Sequence, residues 1–242
     1  MTDSKPPAKR GTTPVETRSD SGEIAAFLRQ ARAVMATPGN ASGRLVLALD
    51  ATMSRQPTWD LACELQGQMF DAVGNAESLS VQLVYFRGHG ECRASRFVRD
   101  TRALKSLMTQ IDCRGGHTQI GKVLSHALRE TARQKVAALV YIGDAMEEKV
   151  DDLAAKAGEL GLRGVPVFMF QEGTEPGAET AFREIARLSR GAWFRFDRNA
   201  AANLAKLLSS IAIFATGGLK ALEARGRAED RLMLEHLSGK KR

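Results

Sequence analysis

The apolar residues of this chain alternate between two spacings. Leu45-Val46-Leu47-Ala48-Leu49 is continuously apolar, and residues 81–86, 136–142, 165–170 and 192–196 are short runs of a similar kind. Short apolar runs rich in Val, Leu, Ile and Phe read as strands buried on both faces. Between them, residues 58–73, 119–133, 150–160, 178–188 and 201–214 repeat apolar positions at three- and four-residue spacing, as Leu61, Leu65, Met69 and Val73 show. That spacing lines one face of a helix, and Pro57 suits a first helical turn, where a missing N–H breaks no bond. A further helix is predicted near 102–111. Residues 94–98 form a strand joined to 81–86 through the turn Arg87-Gly88-His89-Gly90. So short a connection makes the pair antiparallel and puts the added strand at an edge.

Strand and helix therefore alternate along most of the chain. The expectation is an α/β fold: a doubly wound, mostly parallel, Rossmann-like six-stranded sheet with one antiparallel edge strand, right-handed crossovers and helices on both faces. Residues 1–21 are rich in Pro, Thr, Ser and charge without periodicity, and read as a flexible tail. Ile24, Phe27, Leu28, Ala31, Val34 and Met35 follow helical spacing, so 22–43 reads as an amphipathic helix and linker. The domain is expected over 44–216. Gly217-Gly218 then opens a basic helical extension over 217–242.

With 242 residues, 43% hydrophobic and 26% charged, the chain has the composition of a globular protein with a substantial core. No apolar stretch approaches the roughly 20 residues of a membrane-spanning helix, so no membrane partner is expected. Basic residues near the N-terminus have no apolar core behind them, which does not read as a secretory signal; the expected location is cytoplasmic. Cys63, Cys92 and Cys113 lie far apart, with no spacing for zinc or redox work, and read as reduced structural thiols. The formal net charge of +7 is shared among the two ends and the middle, a weak signal for nucleic acid.

Three loops carry the chemistry. Asp50-Ala51-Thr52-Met53-Ser54 follows the first strand, Thr118 lies in Gly115-Gly116-His117-Thr118, and Asp144 follows the strand 136–142. Two carboxylates and three hydroxyls form an all-oxygen set suited to Mg²⁺ or Mn²⁺ rather than a soft metal. Doubly wound sheets bind ligands beyond the carboxyl ends of their strands, where strand order reverses. Asp50 and Asp144 stand at two such ends, and they converge if their strands are neighbours.

This constellation resembles the von Willebrand factor A domain and its metal-ion-dependent adhesion site, in the intracellular bacterial type. The family's first loop is Asp-x-Ser-x-Ser, matched by Asp50-x-Thr52-x-Ser54 with threonine keeping the hydroxyl; Thr118 and Asp144 match the second and third loops. The resemblance implies that Asp50, Thr52, Ser54, Thr118 and Asp144 hold the ion directly or through water. It also implies a non-enzymatic adaptor binding a partner's Asp or Glu through the metal, in assemblies with ATPases or chaperones.

Other readings compete. Read singly, Asp50-Ala51-Thr52-Met53-Ser54 is a helix-capping loop. Gly116 to Lys122 has the spacing of a phosphate-binding loop, which would make the chain an NTPase. However, Val123 stands where a hydroxyl should reach the metal, and the segment before the loop reads as helix. His117 has no nucleophile and orienting acid at recognisable spacing and reads as a solvent-facing loop residue. Arg87, Arg93, Arg96, Arg99, Arg102 and Lys105 make a basic stretch that either guards an edge strand or meets nucleic acid. Glu147, Glu148, Asp151 and Asp152 favour the start of a helix.

Overall fold

The computed structural model describes residues 43–55, 79–99, 103, 106, 108–196 and 201–238. The predicted tail, the helix expected at 22–35, the one at 58–73 and Cys63 lie outside these residues. In chain order come β1 (Gly43–Asp50), a 3₁₀ turn (Met53–Arg55), β2 (Leu79–Arg87), β3 (Glu91–Ala94), α1 (Ile120–Arg133), β4 (Ala138–Gly143) and α2 (Val150–Leu162). They are followed by β5 (Val167–Glu172), α3 (Pro176–Leu188), β6 (Ala192–Phe196), α4 (Ala201–Arg225) and α5 (Ala228–Ser238).

The strands form one sheet in the order β3-β2-β1-β4-β5-β6, all parallel except the β2–β3 pair. Successive side chains of a strand point to opposite faces, and both faces here are covered. Leu45, Leu47 and Leu49 of β1 join Val140 and Ile142 of β4 in a core closed by Ile211 and Ala212 of α4. Val46 and Ala48 join Leu139 and Tyr141 in a second core under Val123 of α1, Leu153 of α2 and Phe182 of α3. Each fully buried aliphatic side chain contributes roughly 1.5–3 kcal/mol, so strands that are largely apolar on both faces hold two helix layers.

The edge strand differs from expectation in register. β3 spans Glu91–Ala94 rather than 94–98, because the tight Arg87-Gly88-His89-Gly90 turn starts pairing at once, with Arg87 opposite Glu91. Arg87 Nε binds Glu91 Oε2 at 3.0 Å across that closing pair. The chain then leaves the ladder and returns at Val98 as an isolated bridge to Val81. In the segment predicted as helix near 102–111, the described positions Ala103, Ser106, Met108 and Thr109 are helical.

Gly218, with φ 65° and ψ −161°, interrupts α4. Glycine enters this left-handed region without the Cβ clash that other residues meet. Beyond it, Leu222 and Met233 are fully buried in the same core as Leu45 and Leu47. Asp230 ties the segment down: its Oδ1 accepts from Ser210 Oγ at 2.7 Å and its Oδ2 from Arg225 Nε at 2.7 Å.

Candidate metal centre

β1 and β4 are hydrogen-bonded neighbours, with Leu49 opposite Ile142, so Asp50 and Asp144 follow adjacent strands out of the same edge of the sheet. The sheet continues through β2 on one side and β5 on the other, which makes this the point where strand order reverses. Asp50 is fully buried. Its Oδ1 accepts the Thr52 backbone N–H at 2.8 Å. Its Oδ2, like Asp144 Oδ1, is buried with no hydrogen-bond partner among the described residues.

Burial raises the Asp50 pKa from 3.8 to about 6; hydrogen bonds from Thr52 oppose the rise, the Asp144 charge adds to it and Arg55 opposes it. A buried polar atom left unsatisfied costs roughly 1–3 kcal/mol, and more when charged. Two such oxygens on adjacent strand ends are what a bound cation would satisfy.

Backbone and side-chain hydrogen bonds tie the three loops together. Thr52 Oγ1 and Ser54 Oγ lie 3.1 Å apart, and the 3₁₀ turn closes through Arg55 N–H to the Thr52 carbonyl at 3.0 Å. Arg114 N–H donates to the Ala51 carbonyl at 3.0 Å, which brings the strand of chain leading to Thr118 beside the first loop. Gly116 then crosses the β2–β3 turn so closely that a Cβ there would sit 2.1 Å from the Gly88 carbonyl oxygen. Thr118 is joined to the Asp144 loop by two hydrogen bonds. Its N–H donates to Glu147 Oε2 and its Oγ1 accepts from the Glu147 N–H, each at 3.0 Å.

Of the five predicted ligands, Asp50, Thr52 and Thr118 are buried, Asp144 is half-buried and Ser54 is exposed. Among the described residues no group of three or more His, Cys, Asp or Glu is arranged for a metal. Two carboxylates with hydroxyls are a combination that would suit a hard divalent cation.

No family model matches the sequence, and no curated protein does either. Solved structures do match. The chain superposes on an aerotolerance-related membrane protein from Bacteroides fragilis with a TM-score of 0.56 at 20% identity, over 70% of this chain and 98% of that one. The VWA domain of SpRpn10 gives a TM-score of 0.57 at 13% identity, over 71% and 97%. This is the von Willebrand factor A fold. Proximal thread matrix protein 1 from the mussel byssus, solved with a zinc-occupied MIDAS motif, matches at TM-score 0.59 and 15% identity over 79% of this chain and 51% of that protein.

Within this A fold, several residues near the centre carry no sequence signal. Arg55 is fully buried and pairs with Glu172 at the end of β5, Nη1 to Oε2 at 3.1 Å. The Tyr141 hydroxyl is buried without a hydrogen-bond partner among the described residues, and its pKa is raised by burial and then by the charges of Asp50, Glu148 and Asp144. By sequence, Glu147 and Glu148 favour the start of their own helix, α2. Instead Glu148 caps α1, accepting from the N–H of Ile120 and, at 2.9 Å, of Gly121. Burial raises the Glu148 pKa against these bonds and that of the Thr118 side chain.

The same cap bears on the phosphate-loop spacing. The first N–H groups of α1 point at a carboxylate, and Lys122 Nζ is held by the Gly90 carbonyl at 3.0 Å and Gln119 Oε1 at 2.8 Å. A phosphate cradle needs those donors free. In the basic stretch, Arg87 pairs with Glu91 and Asp112, and Arg93 pairs with Glu91. His117 is solvent-facing, its Nδ1 3.1 Å from Glu147 Oε2 and its ring 5.2 Å from that of His89. Among the described residues no helix is long and apolar enough to cross a membrane.

Proposed function

We propose that this protein is a metal-dependent protein-interaction module, a cytoplasmic adaptor whose A fold captures an Asp or Glu carboxylate of a partner protein. Asp50, Thr52, Ser54, Thr118 and Asp144 would hold Mg²⁺ or Mn²⁺. When bound, the ion supplies an electrophilic point that attracts a carboxylate oxygen from outside. The observation that carries this reading is the pair of buried oxygens, Asp50 Oδ2 and Asp144 Oδ1, that have no partner among the described residues, at adjacent strand ends. The zinc-occupied MIDAS motif of the mussel protein supports it by likeness of fold.

The chain's own residues prepare the site. The Thr52 N–H fixes one Asp50 oxygen, so the other is the one left for an ion. A threonine hydroxyl has two lone pairs; one on Thr118 takes the Glu147 N–H, leaving the second for the cation. Two carboxylates only balance a divalent charge, so neutral hydroxyl ligands leave the ion attractive to a further anion. Assembly with an ATPase or chaperone belongs to the same proposal. The test is calorimetric titration of Mg²⁺ and Mn²⁺ into the full chain and into Asp50→Ala, followed by identification of proteins that co-purify with and without EDTA. Binding lost in Asp50→Ala is expected; equal binding in a folded Asp50→Ala protein rules the centre out.

A further inference from the structure

Beside the metal centre lies a groove of about 750 Å³ between β3, α1 and α2. Its floor is apolar, with Val84 and Leu153 both buried. Five cations line it: Arg93 from β3, Lys122 and Arg129 from α1, and Lys149 and Lys156 from the start and middle of α2. Arg129 and Lys149 are exposed, and neither makes a salt bridge with a described residue. Lys156 Nζ reaches the Asp152 carbonyl oxygen at 3.4 Å rather than a carboxylate.

Three acids also border the groove, Glu147, Glu148 and Asp152. Two of them are turned to backbone donors: Glu147 accepts from Thr118, and Glu148 from Ile120 and Gly121. Their charge is thereby partly satisfied, while that of Arg129 and Lys149 is not. The groove consequently favours anions. It is also continuous with the centre, since Glu147 both lines it and holds Thr118.

We propose that this groove receives an acidic segment of the partner protein, in extension of the carboxylate captured at the metal centre. The proposal rests on the metal-dependent reading above and names the partner's chemistry: several Asp or Glu residues in an extended stretch. Charge complementarity selects acidic over neutral or basic segments. The wall formed by β3 selects peptide over nucleic acid. Among the described residues β3 pairs with β2 alone, so its other edge offers backbone N–H and C=O groups that an extended peptide can match.

The test uses a fluorescein-labelled oligoglutamate decamer and an oligothymidylate decamer, with Mg²⁺ at physiological salt, against the full chain, the double variant Arg129→Glu/Lys149→Glu, and Asp50→Ala. Both reversed side chains are exposed and make no salt bridge among the described residues, so the double variant should keep its melting temperature and its Mg²⁺ affinity. Its oligoglutamate affinity should fall at least about tenfold. Unchanged oligoglutamate binding in the double variant, with normal Mg²⁺ titration, overturns the groove and leaves the metal reading standing. Undiminished Mg²⁺ binding by Asp50→Ala overturns the metal reading, and with it the continuity on which the groove rests. Tighter binding of oligothymidylate, lost in the double variant, overturns the acidic segment in favour of nucleic acid.

Discussion

Glu147 and Thr118 hold each other twice, through Thr118 N–H to Glu147 Oε2 and Glu147 N–H to Thr118 Oγ1, both at 3.0 Å. The pair joins the loop carrying Thr118 to the loop carrying Asp144. One residue thereby sets both the backbone and the hydroxyl of a proposed ligand.

Glu147→Ala should weaken Mg²⁺ binding by about 10–100-fold, the range seen when groups that orient metal ligands are removed. Glu147→Gln keeps an acceptor for the Thr118 N–H and should lose less. Calorimetry on both variants checks this, with circular dichroism to establish that each is folded. Equal losses in the two would assign the effect to charge rather than to positioning.

The pH dependence follows from Asp50, whose pKa is raised to about 6 in the fold from 3.8. Between these values the folded protein keeps a proton that the unfolded chain has lost. Without metal, the contribution of Asp50 to stability should therefore be full below about pH 4 and be lost as pH rises to about 6, an amount on the order of 3 kcal/mol. The gain in melting temperature from Mg²⁺ should grow over the same window, because the ion replaces that proton. Asp50→Asn should remove both trends.

Arg55 has no exposure and Glu172 almost none. Removing one member of a buried ion pair leaves an uncompensated charge and typically costs about 3–5 kcal/mol. Arg55→Met should destabilise the fold by that order in urea denaturation, and Arg55→Met with Glu172→Gln should recover part of it. A silent Arg55→Met would show that the pair contributes nothing.

Gly116→Ala should disturb the centre from a distance. The new Cβ would meet a backbone carbonyl oxygen, that of Gly88, which cannot rotate away as a side chain would. The loop must shift, and Thr118 with it. Mg²⁺ affinity should drop while the melting temperature in EDTA changes little, since the residue lies in a loop outside both cores.

The sequence by itself determined the architecture. Strands sandwiched between two helix layers are apolar at most positions, and amphipathic helices repeat at helical spacing, so element order and type were legible in residues 45–49 or 119–133. The positions of Asp50 and Asp144 were legible too, because each ends such a run. The edge strand was misplaced by a few residues because its pattern is half polar and its register depends on the turn and on the Arg87–Glu91 pair.

Only the tertiary structure decided the rest. Arg55 follows a loop of hydroxyl residues and carries no mark of burial; Glu172, more than a hundred residues on, makes its burial tolerable. Glu147 and Glu148 look like the acidic start of their own helix, yet they bind the loop and helix that begin at Thr118, 29 residues away for Glu147. The groove's charge depends in the same way on which carboxylates find backbone donors. Periodicity records which face of an element is dry. The cost of a buried charge is set by partners that approach through space, and the order of residues along the chain does not encode that distance.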